Sequence, residues 1–129
     1  FTGRIPHYEV ARHYSVIDIT PFPRKGRRVC ELVSPLKPFE ALAMGKTVIV
    51  SNVGALSEII VHGETGLIHR KDDAESLAEC ISELVLDHKV RERLSKNGRD
   101  WVINNRTWEM AGEIIEGAYE KIIHSSEGR

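Results

Sequence analysis

The sequence has 129 residues, 41% of them hydrophobic, 29% charged and 6% aromatic, with 18 basic against 19 acidic side chains and a formal net charge of −1. That length is one domain, able to bury roughly two-thirds of its unfolded surface, and the composition is neither disordered nor fibrous. The charge balance speaks against a general nucleic-acid or membrane-surface partner, no stretch reaches the roughly 18 apolar residues of a membrane span, and the two thiols, Cys30 and Cys80, form no disulfide framework and fit a reducing cytoplasm.

Residues 1–6 read as a strand end and a turn. This abrupt opening without an initiator Met predicts a fragment cut inside a larger domain, and no signal peptide is read in it. Residues 7–15 are predicted as a short helix, with Val10, Ala11 and Tyr14 at helical spacing. The apolar run 16–22 suits a buried parallel strand, ended by Pro21 and Pro23. Residues 24–35 are predicted as a long charged loop, the kind that is usually functional or mobile in a small domain.

A helix over 39–45 follows, with Pro38 in its first turn and Gly45 as its C-terminal cap. Residues 47–51 are a second buried strand, 55–61 a helical segment after Gly54, and 67–69 a third strand after the turn glycines Gly63 and Gly66. Asp72-Asp73 caps a helix to about residue 86, with Leu77, Ala78, Ile81, Leu84 and Val85 on one face. Helices over 90–104 (Val90, Leu94, Trp101) and 107–123 (Trp108, Ala111, Ile115, Ala118, Ile122) close the domain, leaving 124–129 as a polar, frayed tail. Strands alternating with helices predict an α/β, Rossmann-like parallel sheet with flanking helices. In such sheets ligands sit beyond the carboxyl ends of the strands, here the loops 21–37 and 51–54.

The chemistry concentrates between Ser34 and Gly45. A proline-rich loop turns into a helix whose start offers free N–H groups and a positive dipole end, a setting for a diphosphate. Pro35 and Pro38 remove two donors, while Leu36 and Lys37 keep theirs and Lys37 adds a mobile cation. Glu40, three residues on, presents a carboxylate able to accept hydrogen bonds from two ribose hydroxyls. The plainer alternative is a first-turn acid that favours the helix dipole and pairs with Lys37.

Ordered segments weigh against that alternative. Phe1-Thr2-Gly3-Arg4-Ile5-Pro6, the stretch 14–21 with Asp18, Pro38-Phe39-Glu40-Ala41-Leu42-Ala43-Met44-Gly45-Lys46-Thr47-Val48-Ile49, the stretch 51–60 and Gly63-Glu64-Thr65-Gly66-Leu67 occur in order and spacing. Over residues 1–123 the chain resembles the C-terminal, donor-binding domain of glycosyltransferase family 4, a retaining family with the GT-B fold. The resemblance implies that Glu40 is the second of the family's paired glutamates and holds the donor ribose. The first would lie eight residues earlier, where this sequence has Leu32; the nearest acid is Glu31. Either a one-residue bulge keeps Glu31 near the donor sugar, or that contact has gone and Lys37 has taken over. Trp108 resembles the start of a helix that crosses back towards the other domain.

The donor-binding set implied is therefore Arg4, Arg24, Pro35, Leu36, Lys37 and Glu40, with Glu31 and Lys37 as catalytic candidates. Arg4 sits where the family's turn meets the nucleobase, a contact often made by backbone. Arg24 follows a strand end and could meet phosphate or sugar; Lys25, Arg27 and Arg28 read as a solvated basic face. Glu58 reads as a structural ion-pair residue, Trp101 and Trp108 as core. The six histidines show no metal-site spacing, and the family as a rule needs no metal.

The expected function is transfer of a sugar from a nucleoside diphosphate to a glycan or lipid-linked acceptor, without cofactor or metal. The acceptor, and any peripheral attachment to the inner face of a membrane, would involve an N-terminal domain outside this chain. The rival reading is a GT-B-fold nucleotide-sugar epimerase or a binding module that has lost catalysis.

Overall fold

The computed structural model describes residues 2–127, without the side chains of 125–127. Its centre is β2 (Thr47–Ser51), whose five residues are all buried. β1 (Ile19–Phe22) and β3 (Leu67–His69) pair with it in parallel, in the order β1-β2-β3, with Ile19 opposite Thr47 and Ile49 opposite Leu67. A parallel strand covered on both faces needs apolar side chains on both, which Thr47-Val48-Ile49-Val50-Ser51 supplies without alternation.

Each face of β2 has its own cluster. Val48 and Val50 meet α3 (Lys37–Ala43) through Ala41 and Leu42, α4 (Gly54–Ser57) through Leu56, and the end of α6 (His88–Asn105) through Val102. Ile49 and Leu67 meet Cys80 and Leu84 of α5 (Ala74–Leu86) and Leu94 of α6. Each fully buried Leu or Val contributes about 1.5–3 kcal/mol relative to exposure, so these two clusters carry the fold. α5 and α6 start at aspartates that accept a backbone N–H: Asp73 from Ser76 at 2.8 Å and Asp87 from Val90 at 3.0 Å.

The three predicted strands are present, the first shortened to four residues. Val16 is 82% exposed and precedes β1, whereas Pro21 lies inside the strand instead of ending it. β1 is an edge among the described strands, where part of the backbone has no ladder partner and a proline is tolerated. The predicted helix over 7–15 is a 3-10 turn, His7–Glu9, followed by α1 (Val10–Tyr14). Phe1 lies outside the described residues; residues 2–6 form no strand and turn at Gly3, with φ +69°.

Further expectations are corrected. The loop 24–35 contains a short helix, α2 (Arg28–Leu32), and the helix predicted over 55–61 is only the single turn α4. The buried face of α5 is Ser76, Leu77, Cys80, Ile81 and Leu84; Ala78 and Val85 point to solvent, because the helix starts at Asp73 and its core-facing stripe is set by contact with β3 and α6. Asp72 is not the cap but adopts φ +59° just before it. Finally, α7 (Trp108–Glu127) runs through part of the expected tail; residues 128–129 lie outside the described ones. Its Trp108, expected in the core, is 79% exposed, since α7 leaves the domain surface instead of packing along it.

Candidate functional site

The carboxyl ends of all three strands are tied together by polar contacts. After β1, the Arg24 N–H donates to Ser51 Oγ at 2.9 Å, and the Gly26 N–H donates to Asp72 Oδ2 at 2.9 Å. After β3, the Lys71 N–H donates to Asn52 Oδ1 at 2.7 Å. A parallel sheet places these loops side by side, so segments 46 residues apart meet without any local sequence signal.

Glu31 lies at the centre of this knot. Its Oε2 accepts the Gly54 N–H at 2.7 Å and its Oε1 accepts Lys71 Nζ at 2.6 Å. The carboxyl group is held below the ordinary carboxylate range, first by the Lys71 hydrogen bond and then by the Gly54 N–H. A Cβ at Gly54 would come within 3.2 Å of the Glu31 carbonyl oxygen, so a side chain there would crowd the close approach of α2 and α4. Glu31 thus sits on α2 with its carboxylate turned towards Gly54 at the start of α4 and towards Lys71.

Lys37 and Glu40 sit on the first turn of α3, both exposed. They form no ion pair with each other, and neither side chain is hydrogen-bonded to Glu31 among the described residues. Pro35 and Leu36 lead into that turn, with Leu36 58% exposed. Tyr14 lies near enough to Glu40 for its negative charge, after burial itself, to raise the phenol pKa. α3 is held from behind by Phe39, stacked on Trp101 with ring centroids 6.5 Å apart, while the Arg106 guanidinium lies 5.4 Å from the Trp101 ring.

A cleft of about 430 Å³ opens beside this turn, with Leu36, Phe39, Glu40, Arg106 and Trp108 in its walls. It touches Glu40 but not the Glu31 knot, so its largely apolar walls are a neighbour of the polar site and not the site itself.

Arg24 is half-buried, with its backbone on Ser51, while Arg4 stands exposed on the turn after Gly3. Glu58 is exposed and makes no ion pair among the described residues, contrary to expectation; the single-turn α4 leaves it at the surface. Among those residues no group of three or more His, Cys, Asp or Glu side chains is placed to hold a metal ion, and no helix is long and apolar enough to cross a membrane. Lys71 was not anticipated from the sequence, because the strand-end rule was applied to β1 and β2 alone although β3 empties into the same edge; Asn52 lies in the anticipated loop 51–54.

Known proteins resemble the chain over most of its length. The family described as "Glycosyl transferases group 1" matches residues 1–101. A capsular polysaccharide biosynthesis glycosyltransferase of Staphylococcus aureus is 37% identical over 90 residues, 70% of this chain and 24% of that protein. A GDP-mannose-dependent phosphatidylinositol monomannoside mannosyltransferase of Mycobacterium tuberculosis is 29% identical over 84% of this chain and 29% of its own length. The chain thus spans about a quarter to a third of such relatives. Among solved structures, a sucrose-phosphate synthase of Thermosynechococcus elongatus superposes with TM-score 0.86 at 30% identity, over 97% of this chain and 30% of that one. The Anabaena protein HepE, solved with UDP-glucose, matches in fold alone, with TM-score 0.78 at 15% identity over 85% of this chain and 29% of that one.

Proposed function

The chain belongs to the group 1 glycosyl transferases, and from that premise we propose that it is the donor-binding part of a retaining, family 4 enzyme that transfers a sugar from a nucleoside diphosphate. The observation that carries this reading is Glu40: an exposed carboxylate on the first turn of α3, inside the matched segment, with no hydrogen-bonding partner among the described residues. Its acceptor positions remain available to the two hydroxyls of a ribose. Lys37, one turn away, and Arg24, at the end of β1, supply positive charge for the diphosphate. Backbone at Pro35, Leu36 and Arg4 completes the proposed donor contacts, and Glu31 faces the donor sugar. As the leaving group departs, its growing charge is met by Lys37 and Arg24, so catalysis here is electrostatic and needs no metal.

The names of the relatives support a nucleotide-sugar donor and a glycan or lipid-linked acceptor. We place the protein in the cytoplasm, at the inner membrane face where its acceptor is lipid-linked. The test is kinetic. In the intact protein, Glu40→Ala raises the donor KM by roughly tenfold to a hundredfold, the value of a hydrogen bond to a charged group, or abolishes turnover. The product retains the anomeric configuration of the donor. Unchanged kinetics in the variant, or free epimerised sugar released without transfer, would sink the assignment.

A further inference from the structure

We propose that Lys71 is a positioning residue of this donor site: together with Asp72 it clasps the loop that carries Arg24 and Glu31, and it aims the Glu31 carboxylate at the donor sugar. The inference rests on the donor-site reading above and extends it to the turn between β3 and α5, which that reading does not use.

Three contacts build the clasp. Lys71 Nζ lies 2.6 Å from Glu31 Oε1, the Gly26 N–H donates to Asp72 Oδ2 at 2.9 Å, and the Lys71 N–H donates to Asn52 Oδ1 at 2.7 Å. The donor loop is thus gripped at two points, Gly26 and Glu31, by adjacent residues that are themselves anchored to the end of β2. The fit is close, because a Cβ at Gly26 would lie 3.1 Å from Asp72 Oδ2 and 3.3 Å from Lys71 Cδ. Asp72 holds φ +59°, in the left-handed region that aspartate tolerates better than most L residues, and this turns the chain where it reaches over to the loop.

The clasp leaves Glu31 usable. A carboxylate offers about four acceptor positions, and Gly54 and Lys71 occupy one on each oxygen. A glutamate side chain on a single short helix turn is otherwise mobile, and a donor-sugar contact made by it would have to order it first. The Lys71 pair orders Glu31 in advance. A partly exposed pair of this kind adds little to folding stability, so its main physical effect is to fix the direction of the Glu31 carboxylate.

The role separates sugar from nucleotide. Affinities of the intact protein for UDP and GDP, and for UDP-glucose and GDP-mannose, would be measured by calorimetry. Lys71→Met should weaken the sugar nucleotide that binds by roughly tenfold while leaving the matching diphosphate within about twofold, and Lys71→Arg should restore most of the loss. Unchanged affinity for the sugar nucleotide in Lys71→Met would overturn the proposal and leave the donor site standing. An equal loss for diphosphate and sugar nucleotide would also overturn it, reducing Lys71 to general support of the fold. Absence of binding of all four nucleotides to the parent protein would overturn the donor-site reading and this proposal with it.

Discussion

Glu31 shows what a single residue's surroundings add to its position in the chain. Its ordinal place, nine before Glu40, was visible from the start, but its partner Lys71 lies 40 residues away and carries no local pattern. The role proposed for Glu40 rests on a short contiguous stretch, which can be read in the chain itself. Because Lys71 and the Gly54 N–H depress the Glu31 pKa in the folded state, the stabilisation they provide is present above the unfolded pKa and lost as pH falls through the folded one. Chemical unfolding followed from neutral pH down to the acid range should therefore show less acid loss of stability in Glu31→Gln than in the parent. The difference should be small, since the pair is partly exposed. Parallel pH profiles would mean that the pair contributes nothing to folding.

Elements were legible where local pattern and tertiary demand agree. β2 and β3 were read from their apolar runs and α5 from its capping aspartate, whereas α6 begins at His88 after the Asp87 cap, two residues before the predicted start. α2 was missed because nothing in Arg28-Val29-Cys30-Glu31-Leu32 marks a helix; the turn is held by the Glu31 contact to α4. The faces of α5 were misread at Ala78 and Val85 because apolar spacing alone permits more than one stripe. Packing between elements is also set by residues with no side chain. Gly98 of α6 lies where a Cβ would meet Leu42 Cδ2 at 2.6 Å and the Thr65 carbonyl oxygen at 2.8 Å, and backbone cannot yield cheaply. Gly98→Ala should destabilise the domain by about 1–3 kcal/mol despite its better helix propensity, which denaturant titration would measure. Leu84→Ala, at a fully buried position between sheet and helix, should cost about 2–5 kcal/mol in the same experiment. A neutral result at Gly98 would mean that α3 and α6 are packed less closely than described.

At the scale of the whole molecule, α7 stands apart. Trp108, Ile114, Ile115 and Tyr119 are all more than half exposed, so this helix contributes little to the two core clusters. A chain ending after Gly112 should accordingly unfold within about 4 °C of the parent, the shift that 1 kcal/mol makes in a domain of this size; a much larger drop would place α7 in the core after all. The sequence misplaced Trp108 because an apolar helical stripe does not say what it packs against. The architecture itself was legible from the strand–helix alternation; of the proposed site, α3 could be picked out from its motif, whereas the contacts of Lys71 and Asp72 emerge only from the assembled sheet edge.

The central claim is that Glu40 holds the donor ribose, and the most direct test compares each nucleoside diphosphate with its 2′,3′-dideoxy analogue. For the diphosphate that binds the intact parent protein, loss of the two hydroxyls should weaken binding by roughly tenfold to a hundredfold. Glu40→Ala should bind both forms alike, at the weaker level. Equal affinity of the parent for both forms, or discrimination preserved in Glu40→Ala, would contradict the account.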